Sequence, residues 1–301
     1  MIYDFTILTE ARYDRPEKPD GYTQNILTED RILKEALEAK GATVNRVDWR
    51  NPNVDWNTAR CAIFRTTWDY FYHYEEFRGW LERTSSHIHF VNPARLVQWN
   101  MDKHYLADLK ERGINIPETR IIKKGETQSL DQIVKNTGWN TSILKPTVAG
   151  TARHTYKIDS ESLDEVRPIF EKLVPYEDFL LQPFLPSIVE KGEVSIVMIG
   201  GSYSHAVLKK VKPGDFRVQD DFGGTLHEYT PTPDEIAFAV KAISVCDPHP
   251  YYARVDMVYD LEGKPAIGEL ELIEPELWFR RHPEAAARLA GLLVDAYTMA
   301  R

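Results

Sequence analysis

The stretch GELELIEPELWF, residues 268–279, is apolar at every second position like a half-buried strand, yet it carries Glu269, Glu271, Glu274 and Glu276 among its leucines. In a strand, side chains two apart point the same way and sit about 6.6 Å apart along the backbone. Glu269 and Glu271 therefore share a face, and Leu270 and Leu272 point to a core on the other. Just upstream, YYARVDMVYDLEGKPAIGELEL reads as two β-runs joined at Asp260–Gly263, a hairpin signal. Antiparallel pairing across that turn brings Asp256 alongside the two glutamates. Two unpaired carboxylates about 5 Å apart repel by roughly 3 kcal/mol at an effective dielectric near 20, so three together call for cations or protons. Magnesium fits that demand, because it takes a few carboxylates together with phosphate oxygens and water. The plainer alternative is the solvated face of an edge strand, its glutamates paired with surface lysines.

The same alternation fills the rest of the last third. EVSIVMIGGSYSHAVLKKV is a second pair of β-runs, joined by Gly200-Gly201-Ser202, and PDEIAFAVKAIS and PEAAARLAGLLVDAYTMA are helices beside prolines, able to cover the sheet. The first part of the chain reads differently. YDFTILTE, TVNRVDW and RCAIFR are strand-like, TEDRILKEALEAKG and EEFRGWLERT are helical, and their alternation predicts a small sheet covered by helices. Asn92-Pro93 is a natural boundary. After it, VQWNMDKHYLADLKERG reads as one helix ending at Gly113, and TSILKP, Thr155–Ile158 and FLLQP as short strands, with helical LDEVRPIFEKLV before the last. The expected fold class is α/β (α+β), in three parts: 1–95, 96–186 and 187–301.

Composition narrows the function. Lys and Arg total 37 against 46 Asp and Glu, a net charge of -9 over 301 residues, which argues against a broad nucleic-acid face and leaves room for local basic pockets. No apolar run approaches a membrane span and no basic-then-apolar leader follows Met1, so no membrane association and a cytoplasmic location are expected. Cys61 and Cys246 are too few for a disulfide framework, consistent with a reducing compartment. A small-molecule partner is expected, and a homo-oligomer is left open.

Basic groups occur in the order a triphosphate would need: Lys103 at a helix start, where the backbone dipole adds to its charge, then Lys145 at a strand end before the small-residue loop PTVAGTARHT, then Lys209, Lys210, Lys212 and Arg217. With these residues the chain resembles the ATP-grasp superfamily of ligases, nearest to the prokaryotic glutathione synthetase and D-cycloserine ligase branch. The likeness runs in order through NPARLVQWNMDKHYLADLKERGINIPETRII, ILKPTVAGTARHT, LLQPFLP with GEVSIVMIGG, and RVDMVY with GELELIEP, over roughly residues 90–301; TTWDYF in the first part adds to it.

The resemblance implies an ATP-grasp fold, with an N-terminal α/β domain ahead of two subdomains that clamp ATP. It implies that Lys103 and Lys145 contact the α- and β-phosphates, that Gln182, Phe184 and Leu185 line the adenine slot, and that Glu190 takes the ribose hydroxyls. Lys209 belongs to the same nucleotide-binding set. Arg217 would face the γ-phosphate or the acyl-phosphate, so that Arg217 and Lys145 are the catalytic candidates; pairing with Asp220 or Asp221 is the plainer role for Arg217. Asp256, Glu269 and Glu271 would hold two Mg²⁺, with Mn²⁺ as a substitute. Two features depart from relatives: Glu271 stands where glutathione synthetases place Asn, and the phosphate loop has one glycine, Gly150, where relatives often have two. The implied reaction is ATP-dependent, ADP-forming joining of a carboxylate to an amine through an acyl-phosphate; a small-molecule kinase and a non-catalytic nucleotide-binding protein are the alternatives.

The first part supplies the expected substrate end. RTTWDYFYHYEEF follows the strand CAIF, and the carboxyl end of a strand in an open α/β sheet is where ligands bind. There Arg65 would clamp a substrate carboxylate and Asp69 hold an amine, with the aromatics excluding water or simply forming core. Glu274 would also face the substrate, and Trp278 and Phe279 would pack beneath it.

Overall fold

The computed structural model describes residues 2–218 and 223–298. Three sheets follow one another along the chain. The first holds β1 (Tyr3–Thr9), β2 (Val44–Asp48), β3 (Ala59–Thr66) and β4 (His89–Val91) in the order β2-β1-β3-β4, all parallel. The second holds β5 (Arg120–Ile122), β6 (Ser142–Pro146), β7 (Tyr156–Ile158) and β8 (Phe179–Pro183) in the order β5-β8-β6-β7, antiparallel. The third holds β9 (Glu193–Ile199), β10 (Ser202–Lys210), β11 (Thr225–Glu228), β12 (Tyr252–Tyr259) and β13 (Pro265–Glu271) in the order β11-β10-β9-β12-β13, again antiparallel. Parallel neighbours need crossover connections, such as the helix Gly21–Glu38 between β1 and β2, whereas β9–β10 and β12–β13 are joined by short turns. At the β9–β10 turn Gly200 and Gly201 take φ values of 58° and 75°, a left-handed pair that suits a tight hairpin.

The expected single helix from Val97 to Gly113 is two. Ala94–Asn100 and Tyr105–Glu111 are helical, and the chain turns between them. Apolar spacing runs across the break, which hides it in sequence, but Lys103 N–H donates to Thr147 O at 2.8 Å instead of continuing a helix. Lys103 thus sits in the break, tied to the segment that follows β6. Both helices pack with the third sheet: Leu96, Tyr105, Leu106 and Leu109 share a core with Ile196, Val255 and Leu270. The C-terminal helix Pro283–Thr298 bridges lobes, its Ala286, Leu289 and Leu293 joining Leu33 and Leu37 of the helix Gly21–Glu38 and Val197 and Ile199 of β9. Burying such side chains contributes about 1.5–3 kcal/mol each, so the first and third sheets are held against one another by a shared apolar layer. No helix among the described residues is long and apolar enough to cross a membrane.

Candidate active site

A cavity of about 300 Å³ lies between the second and third sheets and reaches the loop after β3. Its acidic wall is the β12–β13 pair. Register places Asp256 opposite Glu269 and Arg254 opposite Glu271, and on the other side of β12 it places Asp256 opposite Ser195. All of these side chains except Ser195 line the cavity.

The charges on this wall are already partnered. Arg254 Nε and a terminal nitrogen donate to the two oxygens of Asp256 at 2.8 Å each, and the same terminal nitrogen reaches Glu271. Ser195 Oγ donates to Asp256 at 2.6 Å, and Lys209 Nζ lies 3.3 Å from Asp256 and 3.0 Å from Glu193. Lys103 Nζ lies 3.1 Å from Glu269 and also donates to Ala149 O. As the side chains stand, no three carboxylates among the described residues converge at metal-ligand spacing. Arg254 is the reason, since its guanidinium stands between Asp256 and Glu271. Sequence reasoning missed Arg254, although its position two before Asp256 puts it on the same strand face.

Electrostatics divides the wall in two. Burial works against the charge of Asp256, but Arg254 and Lys209 outweigh it and hold the carboxyl well below its ordinary range. Burial likewise opposes ionisation of Glu269, and the Lys103 and Lys145 charges reverse that effect. Glu271 is the opposite case: burial, relieved in part by Arg254 and reinforced by Asp256 and Glu269, pushes its carboxyl up to about 7. Burial next to Glu271 and Glu269 also raises the Glu274 carboxyl well above its ordinary range, and Glu274 has no ion pair among the described residues. A cavity with under-neutralised carboxyls at one end has room for added positive charge there.

Opposite stand the lysines. Lys145, on β6, is desolvated enough that its ammonium is pushed below the ordinary range, with Glu269 opposing the shift and Lys103 adding to it. It makes no ion pair among the described residues, which leaves its charge to the cavity. Behind Lys145 the cavity becomes an apolar slot between the two sheets, bounded by Ile143, Leu185, Ile188 and Val258, with Gln182 at its side. Gln182 is fixed by donating to Thr119 Oγ1 at 2.8 Å. Arg217 also lines the cavity and holds Asp215 through two contacts, 3.0 and 2.7 Å. Asp220 and Asp221 lie outside the described residues.

Four expected site residues stand off the cavity. Phe184 donates its N–H to Thr141 O, and its ring lies under Lys157 at 5.3 Å. Glu190 ends the short helix Ser187–Glu190 and is exposed; Glu193, three residues later, lines the cavity instead because it begins β9 facing inward. Asp69 accepts from the Trp49 indole at 2.7 Å, a tie within the first lobe. Arg65, 2 % exposed, donates to Pro275 O at 3.0 Å and packs on Phe279. It borders a separate recess of about 20 Å³ that shares Tyr22, Trp68 and Glu276 with the main cavity. Of the aromatics in RTTWDYFYHYEEF, Trp68, Tyr70 and Phe71 reach the main cavity, and Trp68 Nε1 donates to Glu274 O at 2.9 Å. Trp278 lines the cavity floor and Phe279 is core.

An antiparallel sheet whose paired acidic strands face Lys145 on a second, smaller sheet and Lys103 in the helix break, with an α/β lobe in front, is the arrangement of the ATP-grasp fold, and this chain has that fold. Within it the chain is similar to D-cycloserine synthetase. The family model for the N-terminal domain of D-cycloserine synthetase DcsG matches residues 5–92. Cycloserine biosynthesis protein DcsG of Streptomyces lavendulae is 28% identical over 281 residues, covering 87% of this chain and 92% of that protein. A crystal structure of D-cycloserine synthetase DcsG superposes with a TM-score of 0.84 at 25% identity, over 97% of this chain and 99% of the other. A RimK domain ATP-grasp protein from Sphaerobacter thermophilus DSM 20745 has the same fold, with a TM-score of 0.68 at 18% identity over 96% and 98% of the two chains.

Proposed function

We propose that the protein is an ADP-forming ligase that joins a carboxylate to an amine-type nucleophile on an amino-acid or peptide-like small molecule. The observation that carries this reading is one cavity with, on one wall, a half-buried lysine that has no ion pair among the described residues, under-neutralised carboxyls on the other and an apolar slot at its end. A purine fits the slot by Ile143, Leu185 and Val258, with Gln182 for its edge and Glu193 nearer the sugar than the exposed Glu190. Lys103 and Lys145 face the phosphates, and Arg217 and Lys209 approach from the third sheet.

The donor set suits a hard cation, since Asp256, Glu269 and Glu271 offer only carboxylate oxygens. Glu269 and Glu271 would hold magnesium directly, and Asp256 would join them once Arg254 moves off its oxygens. The ion would supply charge neutralisation between these carboxylates and a triphosphate. The protein's own groups hold the reactants: a substrate carboxylate oxygen attacks the γ-phosphorus as the bond to ADP breaks, and Lys145 and Arg217 offset the charge that spreads over the phosphoryl oxygens. The amine then attacks the acyl carbon, the C–O bond to phosphate breaks, and phosphate leaves carrying the proton that the amine gives up. Trp68, Tyr70 and Glu274 form the substrate end, where exclusion of water protects the acyl-phosphate.

Replacing Glu271 with Gln tests the reading. Substrate-dependent ADP release is expected to fall by about 10²–10³-fold with the fold intact, as loss of a group that stabilises transition-state charge does. Unchanged turnover in that variant rejects the assignment.

A further inference from the structure

The loop at the phosphate end of the cavity, residues 148–155, rests on the N-terminal lobe. Val148 packs against that lobe's aromatic cluster, which contains Tyr70 and Phe71. A methyl at Gly150 would fall 2.5 Å from Phe71 Cε1 and 2.9 Å from Cδ1, so the loop backbone lies directly on the ring. Phe71 is hemmed in: it is 7 % exposed, edge-on to Tyr70 at 5.8 Å between centroids and 4.4 Å from Tyr72.

Beyond Gly150 the chain bends through Thr151, Ala152 and His154 with φ of 48°, 56° and 49°. The left-handed region costs residues with a Cβ about 1–2 kcal/mol each, so the surroundings must impose this bend. Arg153 pins its far side through two contacts to Glu177, at 2.8 and 3.1 Å, and His154 Nδ1 meets Tyr156 OH at 3.0 Å. Lys103 holds Ala149 O, and Phe71 holds the remaining side. The single glycine of this loop is therefore spent on close approach to a ring, while residues with side chains take the left-handed positions.

We propose that Phe71 is a positioning residue for the phosphate loop: its ring is the seat on which Gly150 rests, so the substrate-side lobe sets how far the loop descends over the nucleotide. The inference rests on the nucleotide reading above. Tyr70 and Phe71 line the same cavity as Lys103 and Lys145, so a ligand that shifts the aromatic turn at one end moves the seat of the loop at the other. Phe71 touches no reacting atom and acts through Gly150.

Gly150→Ala isolates the contact. Gly150 is not among the positive-φ glycines, so alanine meets no backbone penalty there, and its three nearest neighbours are all Phe71 atoms. Two readouts follow the loop: the rate of trypsin cleavage after Arg153 in nucleotide-free protein, and the Kd for MgADP. Gly150→Ala is expected to speed cleavage and weaken MgADP about tenfold each, and to raise KM for ATP more than it lowers kcat. Adding Phe71→Leu, which makes room for the methyl, is expected to return both readouts to within about threefold of wild type. Purely additive effects in the double variant, or no change in either readout for Gly150→Ala, overturn the positioning role even where wild type binds MgADP. Absence of any MgADP binding by wild type overturns the nucleotide reading, and the positioning role with it, whatever the cleavage pattern.

Discussion

The acidic hairpin and the loop at 148–155 line one cavity, and they are built in opposite ways. Every position from Arg254 to Tyr259 is register-paired with a partner on β13, and Asp256 is fixed by Ser195, Arg254 and Lys209 before any ligand enters. The loop at 148–155 has no ladder, bends through three left-handed non-glycine residues, and depends on side chains from three directions. A register-paired wall keeps its carboxylates where the strands put them and leaves only the Arg254 side chain to move, whereas a pinned bend can be released to admit a nucleotide. The difference teaches that substitutions on the hairpin should change chemistry and substitutions around the loop should change nucleotide affinity.

The largest expected effect is on the hairpin. Glu271→Gln should cost the 10²–10³-fold in ADP release given above while leaving thermal stability in the nucleotide-free protein unchanged or higher, since it removes a carboxyl that burial disfavours. A comparable loss of stability would show that the hairpin is held by this charge and not by its ladder. Next is the lysine opposite. Lys145→Met keeps the side chain out to Cε and removes a desolvated ammonium that has no ion pair among the described residues, so the nucleotide-free protein should melt no lower than wild type. MgADP affinity should nonetheless fall about 10–100-fold, the worth of a charged hydrogen bond. Equal affinity in a calorimetric titration would remove Lys145 from the phosphate site. The smallest effect is on pH dependence. Glu271 titrates near 7 in the fold against 4.5 for the ordinary carboxyl, so the native state binds the extra proton between those values. Its contribution to stability is full below the ordinary value and is lost as pH rises from there through about 7, a change on the order of 3 kcal/mol. Melting curves between pH 5 and pH 8 should therefore slope downward more steeply in wild type than in Glu271→Gln, and parallel curves would break the assignment.

What the sequence disclosed follows the range of the interactions involved. The β12–β13 pair was legible because strand alternation and the turn at Asp260 fix register locally, and the register found is Asp256 opposite Glu269. The same alternation places Arg254 on the face of Asp256, where its pairing with both Asp256 and Glu271 depends on a side-chain orientation that strand spacing does not specify. The break between Asn100 and Tyr105 was invisible, since apolar spacing continues through it and the cause, a backbone bond to Thr147, lies over forty residues away. Arg65 and Asp69 sit near a strand's carboxyl end as expected, but their orientation depends on Pro275, Phe279 and Trp49, partners that no local pattern predicts. Glu190 and Glu193 differ by three residues, and only the start of β9 decides which one faces inward.

The central claim is that this cavity holds a nucleotide whose phosphates are bridged to the acidic hairpin by a divalent ion. A melting experiment with ADP, in Mg²⁺ and again in EDTA, addresses it most directly. With ADP at about 100 times its dissociation constant, Mg²⁺ should bring about 2.7 kcal/mol of stabilisation, and EDTA should remove most of it. No shift with Mg²⁺, or a shift of the same size in EDTA, would contradict the account.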